Sequence, residues 1–357
     1  MNIYKKNDGL RYDLQQRWNG SDVASPIYCG DRKEFPDAKN KLLEQYQAFE
    51  TKMNEKWHPN VVLGAAVAGD KLLTDHGAAH VRSVISHAKD ILIDPHFLNG
   101  YEIYLLLMSI HFHDLGNISG RDEHEQKIAD LIDQLGDDLP LDTPEKEIVS
   151  TIATAHGGYC GEDKDTIRNI SLDNVYAGVH YRPKVLAAIL RFADEISDDF
   201  NRSEFHGIEI PHENEVFHEY SKALEPISVT GETIKFHFRI PYELTQRKVG
   251  KGSGEVFLYD EILSRMAKCM RELEYCRKFA DGAIKPTTAD VTIDFLQPGS
   301  SFKRRDRDTF RLTMHGYPDA SHSTLADYLD KSGIFSEADT PKELKFKDGN
   351  TLQQAMK

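Results

Sequence analysis

The run Ile103-Tyr-Leu-Leu-Leu-Met-Ser-Ile-His-Phe112 is apolar on almost every side, and it stops at His113-Asp114. A segment of that length and character is read as a helix buried all round, so the chain must wrap other elements about it. The run then delivers an imidazole and a carboxylate to the interior. A buried carboxylate is costly unless it is paired, protonated or bound to a cation. Histidine and aspartate side by side make a cation the leading candidate. The plainer alternative is a core histidine followed by a capping aspartate, where the helix meets Leu115-Gly116.

The neighbouring segments read as helices too. Ala38 to Lys56 carries Leu42, Leu43, Tyr46, Phe49 and Met53 at steps of three and four, in a stretch 1–60 that is otherwise polar and loop-rich. Asp75 to Leu92 places Val81, Val84, Ile85, Ala88 and Leu92 on one side, with Asp75 as its cap. Glu123 to Leu135 bears Ile128, Leu131 and Ile132. Asp142-Thr-Pro-Glu is a strong start for a helix reaching His156 and ending at Gly157-Gly158. Arg182-Pro183 opens another, through Leu186, Ile189, Leu190 and Ala193 to Ile196. Residues 61–205 are therefore expected to be all-helical.

After Asn201 the texture changes. His206 to Ile210, Ile227 to Thr230, Thr233 to Ile240 and Asp290 to Leu296 alternate with period two, with Gly231-Glu232 as a tight turn. Glu255 to Phe279 reads as a long helix with Ile262, Leu263, Met266, Met270 and Leu273 in its stripe. Residues 206–297 are expected to form a small α+β unit, a three-stranded sheet carrying a helix. Residues 298–357 read as a linker and a dispensable polar tail, with one short helix at His322 to Ser332. Within it, Lys303 to Arg307 is a basic cluster on the solvated surface.

The chain's 357 residues suit about two domains. No apolar run reaches the roughly 18–20 residues that span a bilayer, and Met1 to Asn7 lacks an apolar signal core, so the expected compartment is the cytoplasm. Four cysteines (Cys29, Cys160, Cys269, Cys276) lack metal-finger spacing and read as reduced thiols. A net charge of −14 disfavours broad nucleic-acid binding, which needs Lys and Arg to release counterions. It leaves room for a small phosphate-bearing substrate beside bound cations.

Ligand-type residues recur at the helix ends: His80, His113-Asp114, His124, His156 and Asp194, in steps of 33, 11, 32 and 38 residues. Each step is about one helical hairpin, so all of them can meet at one end of a bundle. The order His, His-Asp, Asp, with Val84 four after His80, resembles the HD superfamily of metal-dependent phosphohydrolases. His80, His113-Asp114-Leu-Gly116 and Arg191-Phe-Ala-Asp194 carry the likeness. The added His124 and His156 resemble its dinuclear branch. The resemblance implies a mainly α chain: an HD-type all-helical domain followed by a small α+β domain, like the companion region of some bacterial HD proteins.

It also implies two divalent ions per chain. One is held by His80, His113, Asp114 and Asp194, the other by His124 and His156 with Asp114 as bridge. Four imidazoles favour Fe, Mn, Ni, Co or Zn over Mg. The implied chemistry is hydrolysis of a phosphate ester or anhydride, of a nucleotide or signalling nucleotide, with Asp114, His124 and Arg191 at the reacting centre and Arg191 clamping phosphate. An ion pair at the core edge is the other reading of Arg191; Arg121 and Lys127 are further clamp candidates. The competing functions are an HD-type nuclease for single-stranded DNA or RNA, and a metal-bound nucleotide sensor without turnover. A homo-oligomer or a protein partner through 206–357 stays open. His76, four before His80, reads as a surface histidine, with an outer-shell or leaving-group role as the alternative. His111 is expected to point away from the site, and His180 to reach it only if its loop folds inward. Asp198 and Asp199 read as a solvated acidic end.

Overall fold

The computed structural model describes residues 38–61, 76–94, 96–120, 123–136, 139–158, 164–198, 210–300, 303–315, 324–329 and 344–357. The chain is mainly helical, with a smaller sheet region. It divides into two compact units. The first comprises Met1–Gly69, His76–Asp194 and Cys276–Ile284; the second comprises Asp70–Asp75, Glu195–Tyr275 and Lys285–Lys357.

The helices of the first unit are α1 (Ala38–Lys52), α2 (Ala78–Asp90), α3 (Gly100–Phe112), α4 (Ile128–Leu135), α5 (Thr143–Thr154) and α6 (Pro183–Glu195). All 13 residues of α3 are buried, and it packs against α5, α2 and α1. Leu105, Leu106 and Leu107 are each fully enclosed, and burying such a side chain contributes about 1.5–3 kcal/mol. A capping box starts the helix: Asn99 accepts from the Glu102 backbone, and Glu102 reaches back to the Asn99 N–H. Buried Glu102 also takes a forked bond from Arg182, at 2.7 and 2.9 Å, so its charge is paired. The same device opens α5, where Asp142 caps and Pro144 sits in the first turn. Beyond Lys52 a π-turn, Met53–Trp57, leads on to buried His58.

One expectation for this region is corrected. Strands β1 (Asn174–Tyr176) and β2 (Val179–Tyr181) form an antiparallel hairpin between α5 and α6. Its two turn residues, Ala177 and Gly178, have φ of 50° and 82°, as a tight hairpin turn requires. Three residues per strand are too few to show a period in the sequence.

In the second unit the chain runs through α7 (Glu215–Ala223), β3 (Ser228–Thr230), β4 (Thr233–Ile240), α8 (Tyr242–Gln246), the hairpin β5 (Val249–Lys251) and β6 (Gly254–Val256), α9 (Leu258–Phe279), β7 (Thr288–Leu296) and β8 (Arg304–Thr313). The last turn of α9 belongs to the first unit. The sheet order is β3-β4-β7-β8, with β4 and β7 parallel and the other pairs antiparallel. Gly231-Glu232 makes the expected turn, with Gly231 at φ 59°. The expected strand at 206–210 lies, but for its last residue, outside the described residues.

The sheet has four strands rather than three. Its extra strand, β8, comes from the basic cluster and what was read as a tail. Arg307 and Arg311 form forked pairs with Asp294 and Asp290 across the β7–β8 register, while Asp308, Phe310 and Leu312 point inward. Charges on the outer face hid the period of two. The C-terminal residues are likewise part of the fold. The Tyr259 hydroxyl donates to buried Asp308 at 2.7 Å and lies 2.9 Å from the Phe346 carbonyl. Helix α11 (Gly349–Met356) follows, after the short α10 (Leu325–Tyr328), and Asp348 caps it. A Cβ on Gly349 would lie 2.3 Å from the Phe257 side chain, so that close approach needs glycine. The rest of the expected helix at 322–332 lies outside the described residues. Among the described residues no helix is long and apolar enough to cross a membrane.

Tyr259→Phe tests the docking of the C-terminal residues, because it leaves the buried Asp308 carboxylate short of a donor. The expected loss is about 1–3 kcal/mol, read as a lower urea midpoint. An unchanged midpoint would show that the Tyr259–Asp308 bond carries no net stability.

Candidate metal centre

Each candidate ligand sits at or near the end of an element in the first unit. His80 is in the first turn of α2; His113 and Asp114 follow α3 directly; His124 opens a 3-10 turn, His124–Lys127, ahead of α4; His156 lies just past α5; Asp194 is in the last turn of α6. The helix termini converge these side chains into two overlapping groups. In each, one donor atom per residue lies within 4.8 Å of the others.

The first group is His80, His113, Asp114 and Asp194. His80 Nε2 lies 3.2 Å from His113 Nε2, 3.0 Å from Asp194 Oδ1 and 3.5 Å from Asp114 Oδ2. His113 Nε2 lies 3.3 Å from Asp114 Oδ2 and 3.6 Å from Asp194 Oδ1. The second group is Asp114, His124 and His156. Here Asp114 Oδ1 faces His124 Nε2 at 3.3 Å and His156 Nε2 at 3.8 Å. Asp114 thus turns one oxygen to each imidazole pair. Only Asp194, with 27% of its side chain exposed, opens appreciably to solvent.

Local structure sets which imidazole nitrogen faces inward. His113 Nδ1 donates to the Ile110 carbonyl at 2.6 Å, and His156 Nδ1 donates to the Ala153 carbonyl at 2.7 Å. These carbonyls belong to the last turns of α3 and α5, where backbone acceptors have capacity to spare; that of Ala153 also takes the His156 backbone N–H at 3.3 Å. With the proton held on Nδ1, the Nε2 lone pair is left to face the cluster, which is the arrangement a metal-ligating histidine needs. His124 Nδ1 lies 3.3 Å from Glu125 Oε2, so a carboxylate stands behind that ring as well. His80 Nδ1 is buried and makes no hydrogen bond among the described residues.

The electrostatics fit a cation. Burial would raise the Asp114 and Asp194 carboxyls, but the surrounding imidazoles outweigh it and hold both well below the usual carboxylate range. Burial lowers His113, yet Asp114 and Asp194 more than reverse this and push it up to about 10. Burial, with His113 close by, lowers His156 to about 4. Without a metal, then, a proton on His113 balances the carboxylates. A divalent cation ligated by the inward nitrogens and the carboxylates would replace that proton and supply more charge. Four imidazole nitrogens with two carboxylates are a donor set suited to first-row transition metals.

Backbone packing brings the two groups together. A Cβ on Gly116 would fall 1.9 Å from the His124 carbonyl oxygen, so the turn after Asp114 can lie against His124 only with glycine there.

Sequence reasoning missed some neighbours and misread others. His76 is buried rather than on the surface, and its Nδ1 donates to Asp114 Oδ2 at 2.7 Å; its place four residues before His80 was the signal. Asn117, fully buried, donates from Nδ2 to Asp114 Oδ1 at 3.0 Å. Nothing in the sequence marked it. Arg191 is buried, and its Nη1 donates to the Lys164 carbonyl and Thr166 Oγ1, so it anchors the segment at 164–166. Nη1 of the guanidinium expected to clamp phosphate is thus bonded to this segment. Lys127 donates to the Ser119 carbonyl at 3.3 Å. Arg121 lies outside the described residues, as do Asp75 and Asp199.

His111 does point away from the cluster. It bonds buried His58 at 3.0 Å and the Tyr46 hydroxyl at 3.2 Å, and burial holds both imidazoles neutral at pH 7, His58 at about 4. His180 is 72% exposed on the β1–β2 hairpin and pairs with Asp173. Asp198 pairs with Arg265 rather than facing solvent alone. Cys269 and Cys276 are buried thiols.

A family model described as HD-CE matches residues 71–264, more than half of the chain. No curated protein and no solved structure matches it.

Two outcomes follow from the geometry. In metal-free protein, protonated His113 stabilises the fold fully below its ordinary value of 6.5, and that stability fades as pH rises through about 10. Asp114 and Asp194, held low, contribute above the ordinary carboxylate value of 3.8 and lose their contribution as pH falls. A cation competes with the His113 proton, so the rise in Tm on adding Mn or Co should be larger near pH 8.5 than near pH 6. A rise that does not depend on pH would place the cation elsewhere. Gly116→Ala should cost about 1–3 kcal/mol from overpacking and weaken metal uptake by the His124–His156 pair more than by the first group. Calorimetric titration would show two unchanged steps if that contact is not limiting.

Proposed function

The chain belongs to the HD-CE family, and on that premise we propose that it is a metal-dependent phosphohydrolase. In this reading it hydrolyses a phosphate ester or anhydride of a small, nucleotide-type substrate. The observation that carries the proposal is the two-sided use of Asp114, with one oxygen toward His80 and His113 and the other toward His124 and His156. A single structural cation would need only one such side.

His80, His113, Asp114 and Asp194 would hold the first cation; His124, His156 and the second oxygen of Asp114 would hold the other. When bound, such ions lower the pKa of a water and draw charge from phosphoryl oxygens as the transition state forms. The protein's own residues do the positioning. The backbone carbonyls of Ile110 and Ala153 fix two imidazoles in the ligating tautomer. Arg191 holds the segment at 164–166 through its Nη1 bonds to the Lys164 carbonyl and Thr166 Oγ1. Asp194 is the most exposed of the six, which puts the accessible side of the cluster beside it.

A small substrate is favoured over a nucleic acid by two features. The chain carries a net charge of −14, and two of the basic residues noted in the sequence or beside them, Arg307 and Arg311, spend their forks on Asp294 and Asp290.

The test is metal analysis followed by turnover on a panel of nucleoside mono- and triphosphates, cyclic dinucleotides and a labelled single strand. Two ions per chain with release of phosphate or nucleoside from a small nucleotide is the expected result. Cleavage of the strand alone would replace this reading with a nuclease, and tight nucleotide binding without turnover would replace it with a sensor. Asp114→Ala should empty both positions and reduce turnover to background; retained metal with full activity would refute the bridging role.

A further inference from the structure

The Asp114 carboxylate is gripped from both ends. Its Oδ2 accepts from His76 Nδ1 at 2.7 Å, and its Oδ1 accepts from Asn117 Nδ2 at 3.0 Å. Each carboxylate oxygen has two lone-pair directions in its plane. One direction on each oxygen is thus occupied by an N–H donor, and the other is left toward one imidazole pair. The terminal torsion of aspartate is soft, so an ungripped carboxylate would swing toward its nearest cationic neighbour. Imidazole nitrogens stand at 3.3 Å on both sides, His113 Nε2 against Oδ2 and His124 Nε2 against Oδ1, so a turn toward either would spoil the other.

Asn117 shows the cost of this arrangement. It is fully buried, and its Oδ1 has no hydrogen-bond partner among the described residues. Reversing the amide would set Oδ1 against Asp114 Oδ1, acceptor against acceptor, so the amide keeps its N–H toward the carboxylate. A leucine would fill the same space without burying an unsatisfied acceptor. The position therefore keeps an asparagine where packing alone would not ask for one. The backbone reinforces the grip, since Asn117 N donates to the Asp114 carbonyl at 3.0 Å.

We infer that His76 and Asn117 are positioning residues that hold the plane of the Asp114 carboxylate, so that each of its oxygens serves a different cation position. The inference rests on the two-cation reading above and adds a direction to it. Asn117 acts on Oδ1, the oxygen facing His124 and His156, where Asp114 is the only carboxylate of the group. Its loss falls on the second position. His76 acts on Oδ2, in the group that also contains Asp194, so its loss is felt at the first position and is smaller.

The experiment titrates full-length metal-free protein with Co²⁺, reading heat and the visible d–d spectrum. Wild-type protein should show two steps. Asn117→Leu should fold with a metal-free Tm at least equal to wild type. Its first step should be unchanged and its second weakened about 10–100-fold, with a matching change in the second spectral component only. His76→Leu should weaken the first step, and His76→Asn, which keeps an N–H near the Nδ1 position, should restore it. If both steps persist in Asn117→Leu with affinities within about threefold of wild type, the positioning role is wrong while the two-cation reading stands. A single step in the wild-type protein would overturn both.

Discussion

Two carboxylates enclosed with four imidazoles are the constraint on which the first unit depends. Asp114 cannot be buried as an anion unless donors or positive charge lie against it, and the fold brings the imidazoles of His76, His80, His113, His124 and His156 to it. The apolar helix α3 makes this possible. Because it is buried along its whole length, its C-terminus emerges deep inside the unit, and His113-Asp114 are the first residues past its end. The other ligands lie on elements packed around that end. Core packing and site geometry are therefore one problem: whatever shifts α3 also shifts His113 and Asp114, and both ligand groups share Asp114.

The ends of the helices serve the chemistry twice. Carbonyls in their last turns have acceptor capacity to spare, and at α3 and α5 imidazole Nδ1 groups use it, at Ala153 beside the His156 backbone N–H. The same bonds settle the tautomer and aim Nε2 inward. A structural need at a helix terminus is thus met by a group whose opposite nitrogen is left free to ligate a cation. Glycine completes the arrangement at Gly116, where a side chain would collide with the backbone of His124.

The second unit manages charge differently. Its sheet carries Arg307 and Arg311 opposite Asp294 and Asp290 on one face, while the fully buried Asp308 on the other is held by the Tyr259 hydroxyl and the Lys345 backbone N–H. Burial raises that carboxyl above its ordinary range, which favours a proton-sharing bond over a bare charge. The basic stretch at 303–307 is accordingly part of a strand and of a cross-strand pairing. In isolation it had the look of a surface cluster.

The positions of the main helices, the cap at Asp142, the turn at Gly231-Glu232 and the identity of the six clustered residues were legible along the chain. Period, caps and ligand-type spacing are local properties, and a linear sequence displays them. The hairpin at 174–181, the strand β8 and the docking of 344–357 were not, because short strands show no period and β8 hides its alternation behind charges that only a partner strand explains. Asn117 and His76 belong to the same class. Their meaning lies in which oxygen of Asp114 each one touches, and Arg191 found its partner in a backbone carbonyl. By itself the sequence determined which residue types can bind a cation and roughly where helices bring them. Tertiary structure alone decided how Asp114 divides its two oxygens, because that depends on distances between side chains far apart in the chain.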